Sequence, residues 1–234
     1  MIYEELKNNA YPGRGIILGK SESGKEAVIA YFIMGRSENS RNRIFIENDG
    51  VLHTEAFEPS KLIDPSLIIY NAVRKIDDGL IVTNGNQTDT IYDYLNMGKS
   101  FEDALNTREF EPDSPNYTPR ISGLISVKEN NLTYKLSILK SFDGDNSVCI
   151  RNFFNYSGAL NGTGHLIHTY NSDGSPIPSF SGEPKRMDIV GDIDTYSIDL
   201  WNSLNEDNRV SLVVKFVSIE SGETETRIIN KNMR

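Results

Sequence analysis

The sequence predicts an α+β protein built in layers, with its strands paired mainly antiparallel. Three observations predict it. Runs rich in Ile, Val, Tyr and Phe are joined by short turn signals, at Ser21-Glu22-Ser23-Gly24, Asn48-Asp49-Gly50 and Asp77-Asp78-Gly79, which make hairpins rather than crossovers. Helical patterns follow blocks of strands instead of alternating with each one, unlike a doubly wound parallel sheet. Eleven Tyr and ten Phe suit a sheet-rich interior with polar edges. Two stacked sheets are compatible with this pattern.

In chain order, Met1 to Asn9 reads as a short helix or an arm. Gly13 to Lys20 and Glu26 to Met34 form the first hairpin. Ile44 to Glu47 and Leu52 to Phe57 form the second, about the Asp49-Gly50 step. Leu67 to Ile76 is read as a strand, because Asp77-Asp78-Gly79 then turns it into Leu80-Ile81-Val82; strand alternation sends Tyr70 and Asn71 to opposite faces. A helix from Thr90 to Gly98 is capped by Thr88 or Asp89, and a second opens at Ser100 with Asp103 three residues on. Phe110 to Pro119 is punctuated by proline and reads as an ordered irregular loop. Strands follow at Arg120–Val127, Thr133–Leu139, Val148–Phe154, Gly164–Tyr170 and Arg209–Ile219, with another at Glu225–Ile229. Between them, Asp192 to Asn205 has helical period and turns Ile193, Tyr196, Leu200, Trp201 and Leu204 toward a core.

Composition narrows the function. No linker or low-complexity run divides the 234 residues, which are read as one domain, 1–234. A net charge of −9 argues against nucleic acid and anionic membranes as partners, since both are bound through clustered Lys and Arg. No run approaches the roughly 18 apolar residues of a membrane helix, and the start lacks a basic segment followed by an apolar one. The single cysteine, Cys149, excludes an internal disulfide framework and reads as a small buried hydrophobe. A cytoplasmic protein is expected.

Candidate chemistry gathers where strand meets helix. Val82-Thr83-Asn84-Gly85-Asn86-Gln87-Thr88-Asp89-Thr90-Ile91 joins an apolar run to a helix through small polar residues, leaving N–H groups free to meet a polar ligand. The loop Gly35 to Arg43 holds three arginines in an otherwise acidic chain, a pattern suited to bidentate contact with phosphate. A solvated loop is the plainer alternative. His165 and His168 fall on opposite faces of a strand and no Cys cluster accompanies them, so no metal site is expected. Neither a nucleophile elbow nor a phosphate or dinucleotide loop is present; Gly158 to Gly164 is glycine-rich without either spacing. Asp192 and Asp194 read as helix capping.

Gly13-Arg14, Asn42-Arg43, Asp64-Pro65-Ser66-Leu67-Ile68-Ile69-Tyr70-Asn71-Ala72-Val73-Arg74, the Asn84 string, Phe110-Glu111-Pro112-Asp113 and Tyr117-Thr118-Pro119-Arg120-Ile121 follow one another in an order that resembles the archaeal-type IMP cyclohydrolase family. Gly164-His165-Leu166-Ile167-His168-Thr169-Tyr170 and Pro178-Ser179-Phe180-Ser181-Gly182-Glu183-Pro184 resemble its bacterial branch. The resemblance implies the four-layer αββα sandwich of the N-terminal-nucleophile hydrolases. The processed N-terminal nucleophile of that superfamily is not carried over, because the chain opens on Met1 and an acidic arm. The implied reaction closes 5-formamidoimidazole-4-carboxamide ribotide to IMP with loss of water, the last step of purine biosynthesis, without a cofactor.

Carried over residue by residue, the resemblance points to Arg43, Tyr70, Asn84 and Glu111 as catalytic, with Arg14 beside them. Substrate-binding candidates are Arg14, Arg36, Asn71, Arg74, Gly85, Asp89, Thr90, Arg120, His165, His168 and Tyr170. Arg74 and Arg120 are equally suited to salt bridges with the many carboxylates. The implied partner is a small purine ribotide, and a homo-oligomer is compatible with the reading. The chain after residue 125 departs from the shorter archaeal pattern. Two further functions therefore stay open: a purine-nucleotide sensor without turnover, and another amide-processing enzyme on the same fold.

Overall fold

The computed structural model describes residues 3–62 and 65–233. Met1 and Ile2 of the expected N-terminal helix or arm, and Asp64 of the Tyr70 motif, lie outside the described residues. In chain order the elements are α1 (Glu4–Lys7), β1 (Arg14–Lys20), β2 (Glu26–Met34), α2 (Glu38–Arg41), β3 (Ile44–Asn48), β4 (Val51–Glu55), β5 (Asn71–Ile76) and β6 (Gly79–Thr83). There follow α3 (Gln87–Asn96), α4 (Phe101–Asn106), β7 (Arg120–Lys128), β8 (Asn131–Phe142), β9 (Asp145–Tyr156), β10 (Thr163–His168), β11 (Lys185–Asp188), α5 (Ile193–Ser203), β12 (Arg209–Ser218) and β13 (Thr224–Asn230). They make an α+β protein with two sheets, one ordered β11-β10-β1-β2-β12-β13 and the other β3-β4-β5-β6-β7-β8-β9. Every pairing is antiparallel.

Strand alternation sorts the apolar side chains into three clusters. Ile16 and Leu18 of β1, with Ile29, Tyr31 and Ile33 of β2, share one cluster with Phe45, Val73, Val82, Ile121 and Ile138 of the other sheet. Their in-between neighbours Ile17, Val28 and Phe32 pack instead with Leu6 of α1 and with Tyr196, Leu200 and Trp201 of α5. Ile193 and Leu204 join the same cluster, so all five residues expected on the buried face of this helix are there. Ile81, Leu124 and Leu139 of the second sheet pack with Ile91 of α3 and Phe101, Ala104 and Leu105 of α4. Burying each such side chain contributes about 1.5–3 kcal/mol. At Gly123 the first sheet leaves no room for a side chain: a Cβ there would stand 2.9 Å from Leu18 Cδ1 and 3.3 Å from Ile16 Cγ2.

Local chemistry explains where expectation and structure agree. Asp49 and Gly50 both take positive φ, 50° and 76°, as a two-residue hairpin turn requires. Gly98 ends α3 at φ 73°, with Gly98 N–H bonded to Leu95 O at 3.0 Å and Lys99 N–H to Tyr94 O at 2.9 Å. Ser100 and Asp103 cap α4 reciprocally, and Asp192 caps α5.

Several boundaries differ from the sequence reading. The stretch 65–68 is a turn, closed by Ile68 and Ile69 N–H groups on Pro65 O at 3.0 and 2.8 Å, so β5 begins only at Asn71. α3 starts at Gln87, three residues before Thr90, because the hydroxyls of Thr83 and Thr88 both bond Gly85 O and tighten the turn; Thr88 and Asp89 lie inside the first turn instead of capping it. β8 and β9 outrun their expected ends, turning on Asp143 and Gly144 at φ 51° and 86°. β10 stops at His168, with Tyr170 making an isolated bridge to Ser179. The second hairpin ends at Glu55, short of Phe57. α2 and β11 carry too few apolar residues to be read in advance. Cys149 is half-buried beside the α3–α4 cluster, less enclosed than expected.

Lys215 of β12 is 3 % exposed and donates to Glu47 Oε1 of β3 at 2.5 Å and to Thr226 Oγ1 at 2.8 Å, an ion pair from one sheet to the other. Glu47→Ala leaves that ammonium buried without its partner, whereas Lys215→Met removes the charge and keeps the stem. Denaturant unfolding should show a loss of about 2–3 kcal/mol for Glu47→Ala and under about 1 kcal/mol for Lys215→Met.

Candidate active site

A cavity of about 370 Å³ opens at one end of the two-sheet core, lined among others by Arg14, Arg36, Arg43, Glu111, Asp113 and Tyr170. Strand ends and the loops beside them supply every one of these side chains. Arg14 is the first residue of β1, and its N–H bonds Thr169 Oγ1 at 3.1 Å. Gly13 must precede it: at φ 78° a Cβ there would lie 2.1 Å from Thr169 Oγ1 and 2.6 Å from the Tyr170 ring. Arg43 immediately precedes β3 and Arg120 opens β7. Glu111 is fixed in the proline-punctuated loop by its N–H on Thr118 O at 2.9 Å, and Asp113 accepts the Thr118 N–H at 2.6 Å.

Tyr70 sits beneath this group, just before β5, its backbone clasped by Thr54. Its hydroxyl lies 2.6 Å from that of Tyr31 on β2. The register against β4 slips between Leu52, opposite Val73, and His53, opposite Asn71. Ala72 is therefore the extra residue of a bulge, and bulges re-aim side chains. As expected, Tyr70 and Asn71 diverge: Tyr70 joins the inter-sheet cluster, while Asn71 meets Asp89. The bulge also places Arg74 on the Asn71 side.

Buried charge is out of balance here. Arg14, Arg43 and Arg120 are 7 %, 4 % and 6 % exposed, and the carboxylate buried among them is Glu111, at 3 %. Burial raises the Glu111 pKa, and Arg14 and Arg120 only partly offset it. The Arg120–Glu111 separation of 4.0 Å is longer than a direct hydrogen bond, consistent with burial prevailing on both partners. Burial likewise lowers Arg43, reinforced by the like charge of Arg14. For Arg14, burial works against the cation, but Glu111 and the tyrosines Tyr11, Tyr170 and Tyr70 together hold its pKa above the usual value. Arg14 Nε and Arg43 Nε and Nη1 meet no acceptor in the protein. Such donors suit an oxygen-rich ligand or one that develops negative charge on oxygen.

The other candidates divide. Asn84 does not line the cavity: its amide donates to Pro119 O at 2.9 Å, and its Oδ1 accepts from Ile121 N–H at 2.8 Å and Gln87 Nε2 at 3.0 Å. Gln87 Oε1 then accepts from Arg120 at 2.8 Å, so Asn84 is linked through Gln87 to Arg120. Gly85 lies under the same guanidinium, where a Cβ would stand 2.5 Å from Arg120 Nη1. Arg36 holds the rim, paired with Asp173, donating to Gly174 O at 3.0 Å and lying 5.0 Å from the Tyr11 ring centroid. Tyr170 bonds Thr118 Oγ1 at 2.6 Å and stacks on Tyr11.

Asn71, Arg74 and Asp89 form a separate cluster outside the cavity lining, with Arg74 Nη1 2.6 Å from Asp89 Oδ1 and Arg74 Cζ 3.5 Å from the Tyr92 ring centroid. Thr90 belongs to the same helix and is not part of the lining. His165 pairs with Tyr134 at 2.6 Å and stacks on Tyr156, while His168 is buried against Phe180 with Nδ1 2.9 Å from Tyr170 O. Sequence reasoning missed Tyr31, Gln87, Tyr11, Asp113 and Thr118. Gln87, Asp113 and Thr118 stand in the quoted motifs but were given no role, whereas Tyr31 reads as core in an otherwise aliphatic inward row of β2.

Burial lowers the His168 pKa to about 4, with Tyr170 O opposing it. The folded form takes up its proton near pH 4, the unfolded chain near 6.5, so this histidine's contribution is complete above 6.5 and declines as pH falls toward 4. The expected loss is about 3 kcal/mol across that window. Denaturant unfolding across the same range should show a shallower acid slope for His168→Gln than for the parent chain.

Comparison with known proteins bears on the same region. The relatives include proteins named IMP cyclohydrolase from Methanococcus maripaludis, 33% identical over 128 residues, and from Methanosphaera stadtmanae, 35% identical over 123. The first match covers 53% of this chain and 62% of the relative; the second covers 50% and 59%. The namesake from Methanocaldococcus jannaschii is 30% identical over 129 residues, 53% of this chain and 61% of its own. The chain thus spans about three fifths of the length of these relatives. Residues 11–222 match the family described as IMP cyclohydrolase-like protein. With Arg14, Tyr70 and Glu111 all inside that span, the chain belongs to the IMP cyclohydrolase-like protein family.

Proposed function

We propose that this chain closes 5-formamidoimidazole-4-carboxamide ribotide to IMP, as the name of its relatives suggests. The convergence of Arg14, Arg43 and Glu111 on one cavity, with Tyr70 beneath, carries this reading. The carboxamide nitrogen bonds to the formyl carbon while the carbonyl pair moves onto the formyl oxygen. One proton from the carboxamide and one from the formamido nitrogen leave with that oxygen as water. Holding a weak amide nucleophile against the formyl carbon contributes up to roughly 7–11 kcal/mol.

In this reading the guanidinium groups of Arg14 and Arg43, which line the cavity, receive the developing oxyanion, each such donor being worth up to about 3–4 kcal/mol. Glu111, made more basic by burial, takes the carboxamide proton, and Tyr70 gives a proton to the departing oxygen. Asn84 is assigned to positioning, because its oxygen and one amide hydrogen are engaged by the backbone and Gln87. Arg36, half-exposed on the rim, is the proposed phosphate contact. The three apolar clusters support the four-layer αββα arrangement, and Tyr170 at the cavity supports the bacterial branch. We place the enzyme in the cytoplasm as one domain acting on a small ribotide without a cofactor. Among the described residues no helix is long and apolar enough to cross a membrane.

The test is an ultraviolet assay of IMP formation from the formamido ribotide. Tyr70→Phe and Glu111→Gln should each lower kcat by about 100-fold or more with KM little changed. Arg36→Ala should chiefly raise KM, since a phosphate remote from the reacting atoms is held alike in ground and transition states. A chelator should leave turnover intact. No IMP from the parent chain, or undiminished kcat in both of the first two variants, would overturn the catalytic reading and favour a nucleotide sensor.

A further inference from the structure

Tyr31 occupies the middle of β2, between Ile16 of β1 and Val213 of β12, on the face that meets the other sheet. It is fully buried, and its ring packs at 52° against Phe45, centroids 5.3 Å apart. Leucine or phenylalanine would fill this place without a hydroxyl to satisfy. The hydroxyl is instead 2.6 Å from that of Tyr70, the group that faces the arginines of the site. A hydroxyl has one proton and two lone pairs. Arg14 and Arg43 act on both phenols, and neither can accept a proton. Tyr70 Oη is therefore the natural acceptor for the Tyr31 proton. Were the bond reversed, a buried O–H on Tyr31 would be left without an acceptor.

We propose that Tyr31 is a positioning residue for the reaction: it donates its O–H to Tyr70 Oη and so turns the Tyr70 proton toward the reacting oxygen. The inference rests on the cyclohydrolase reading for its kinetic consequence, but the hydrogen bond itself can be read without turnover. When Tyr70 gives up its proton, the donor from Tyr31 steadies the phenolate that remains, and the proton returns in the next cycle from the carboxamide side through solvent or Glu111. The charged and titratable groups acting on Tyr70 are Arg43, Arg14, Glu111 and Tyr31; burial raises its pKa, whereas Arg43, Tyr31 and Arg14 oppose that rise.

Tyr31→Phe removes one oxygen and keeps the ring, and thermal unfolding of the variant verifies the fold. Its kcat should fall about tenfold or more with KM within about threefold, and the alkaline limb of the kcat profile should move to higher pH, because the Tyr70 phenolate has lost a donor. In a Tyr70→Phe background the same change should have no further effect on kcat, since there is nothing left to orient. A carbon-13 label at tyrosine Cζ gives the independent reading: the Tyr70 resonance, identified by its loss in Tyr70→Phe, should shift in Tyr31→Phe. An unmoved resonance overturns the inference, as does a kcat loss in full measure in the Tyr70→Phe background. If the parent chain forms no IMP while the resonance shifts, the function assigned above fails and the Tyr31–Tyr70 bond stands.

Discussion

Three buried guanidinium groups beside one buried carboxylate are the constraint on which the rest of the site depends. An unpaired charge in a protein interior costs several kcal/mol, so this group must be held by structure that is stable without it. The apolar contact between the two sheets supplies that structure, and the charges are confined to one end of it. Arg14 and Arg120 each begin a strand and Arg43 stands just before one, so the ladders carry their backbones; the side chains of Arg14 and Arg43 line the opening, while Arg120 reaches Gln87. Glu111 then needs only a short loop, closed by Thr118, to stand among them.

Around these charges, polar side chains are used as fasteners. Asn84 joins Pro119, Ile121 and Gln87, and Gln87 reaches Arg120, so the strand-to-helix turn after β6 is tied to the start of β7. Gly85 is part of the same arrangement, because any larger residue would press on the Arg120 guanidinium. The Thr54 clasp on Tyr70 plays the matching role on the other side, and Tyr31 brings the first sheet into contact with it. Residues from both sheets thus fix the positions of groups that lie far apart in the chain.

Hairpins, capping boxes and the buried face of α5 were legible in the sequence because each depends on a few neighbouring residues. Asp49-Gly50, Ser100 with Asp103, and Asp192 carry their own geometry. The set Arg43, Tyr70, Asn84 and Glu111, with Arg14 beside it, was named only through family resemblance, since nothing local to any one of them indicates the others, and Asn84 proves to lie outside the cavity lining. Tertiary contact decided the remainder. Leu67 to Tyr70 has the apolar character of a strand, yet the Pro65 carbonyl folds it into a turn. Asn71 and Arg74 were grouped with the ligand candidates, but the bulge at Ala72 turns them to Asp89, an ion pair that the sequence allowed for Arg74. Tyr31 was hidden by its neighbours, because a tyrosine in an apolar run reads as core until the facing sheet shows a second hydroxyl.

The unsatisfied donors connect stability with chemistry. A buried N–H without an acceptor costs about 1–3 kcal/mol, and Arg14 and Arg43 carry three such groups. Folding tolerates that cost because the apolar clusters on either side of the first sheet are extensive and the strand ends are firmly paired. A ligand that places oxygen among these donors recovers part of the deficit, and one whose oxygen gains charge as it reacts recovers more. Donors fixed in advance need no reorganisation when charge develops, which is the condition under which electrostatic stabilisation accelerates a reaction most. The core and the rim of the cavity are held differently: Arg14 and Arg43 stand at strand starts, whereas Arg36 lies on the rim and is held by Asp173 and Tyr11.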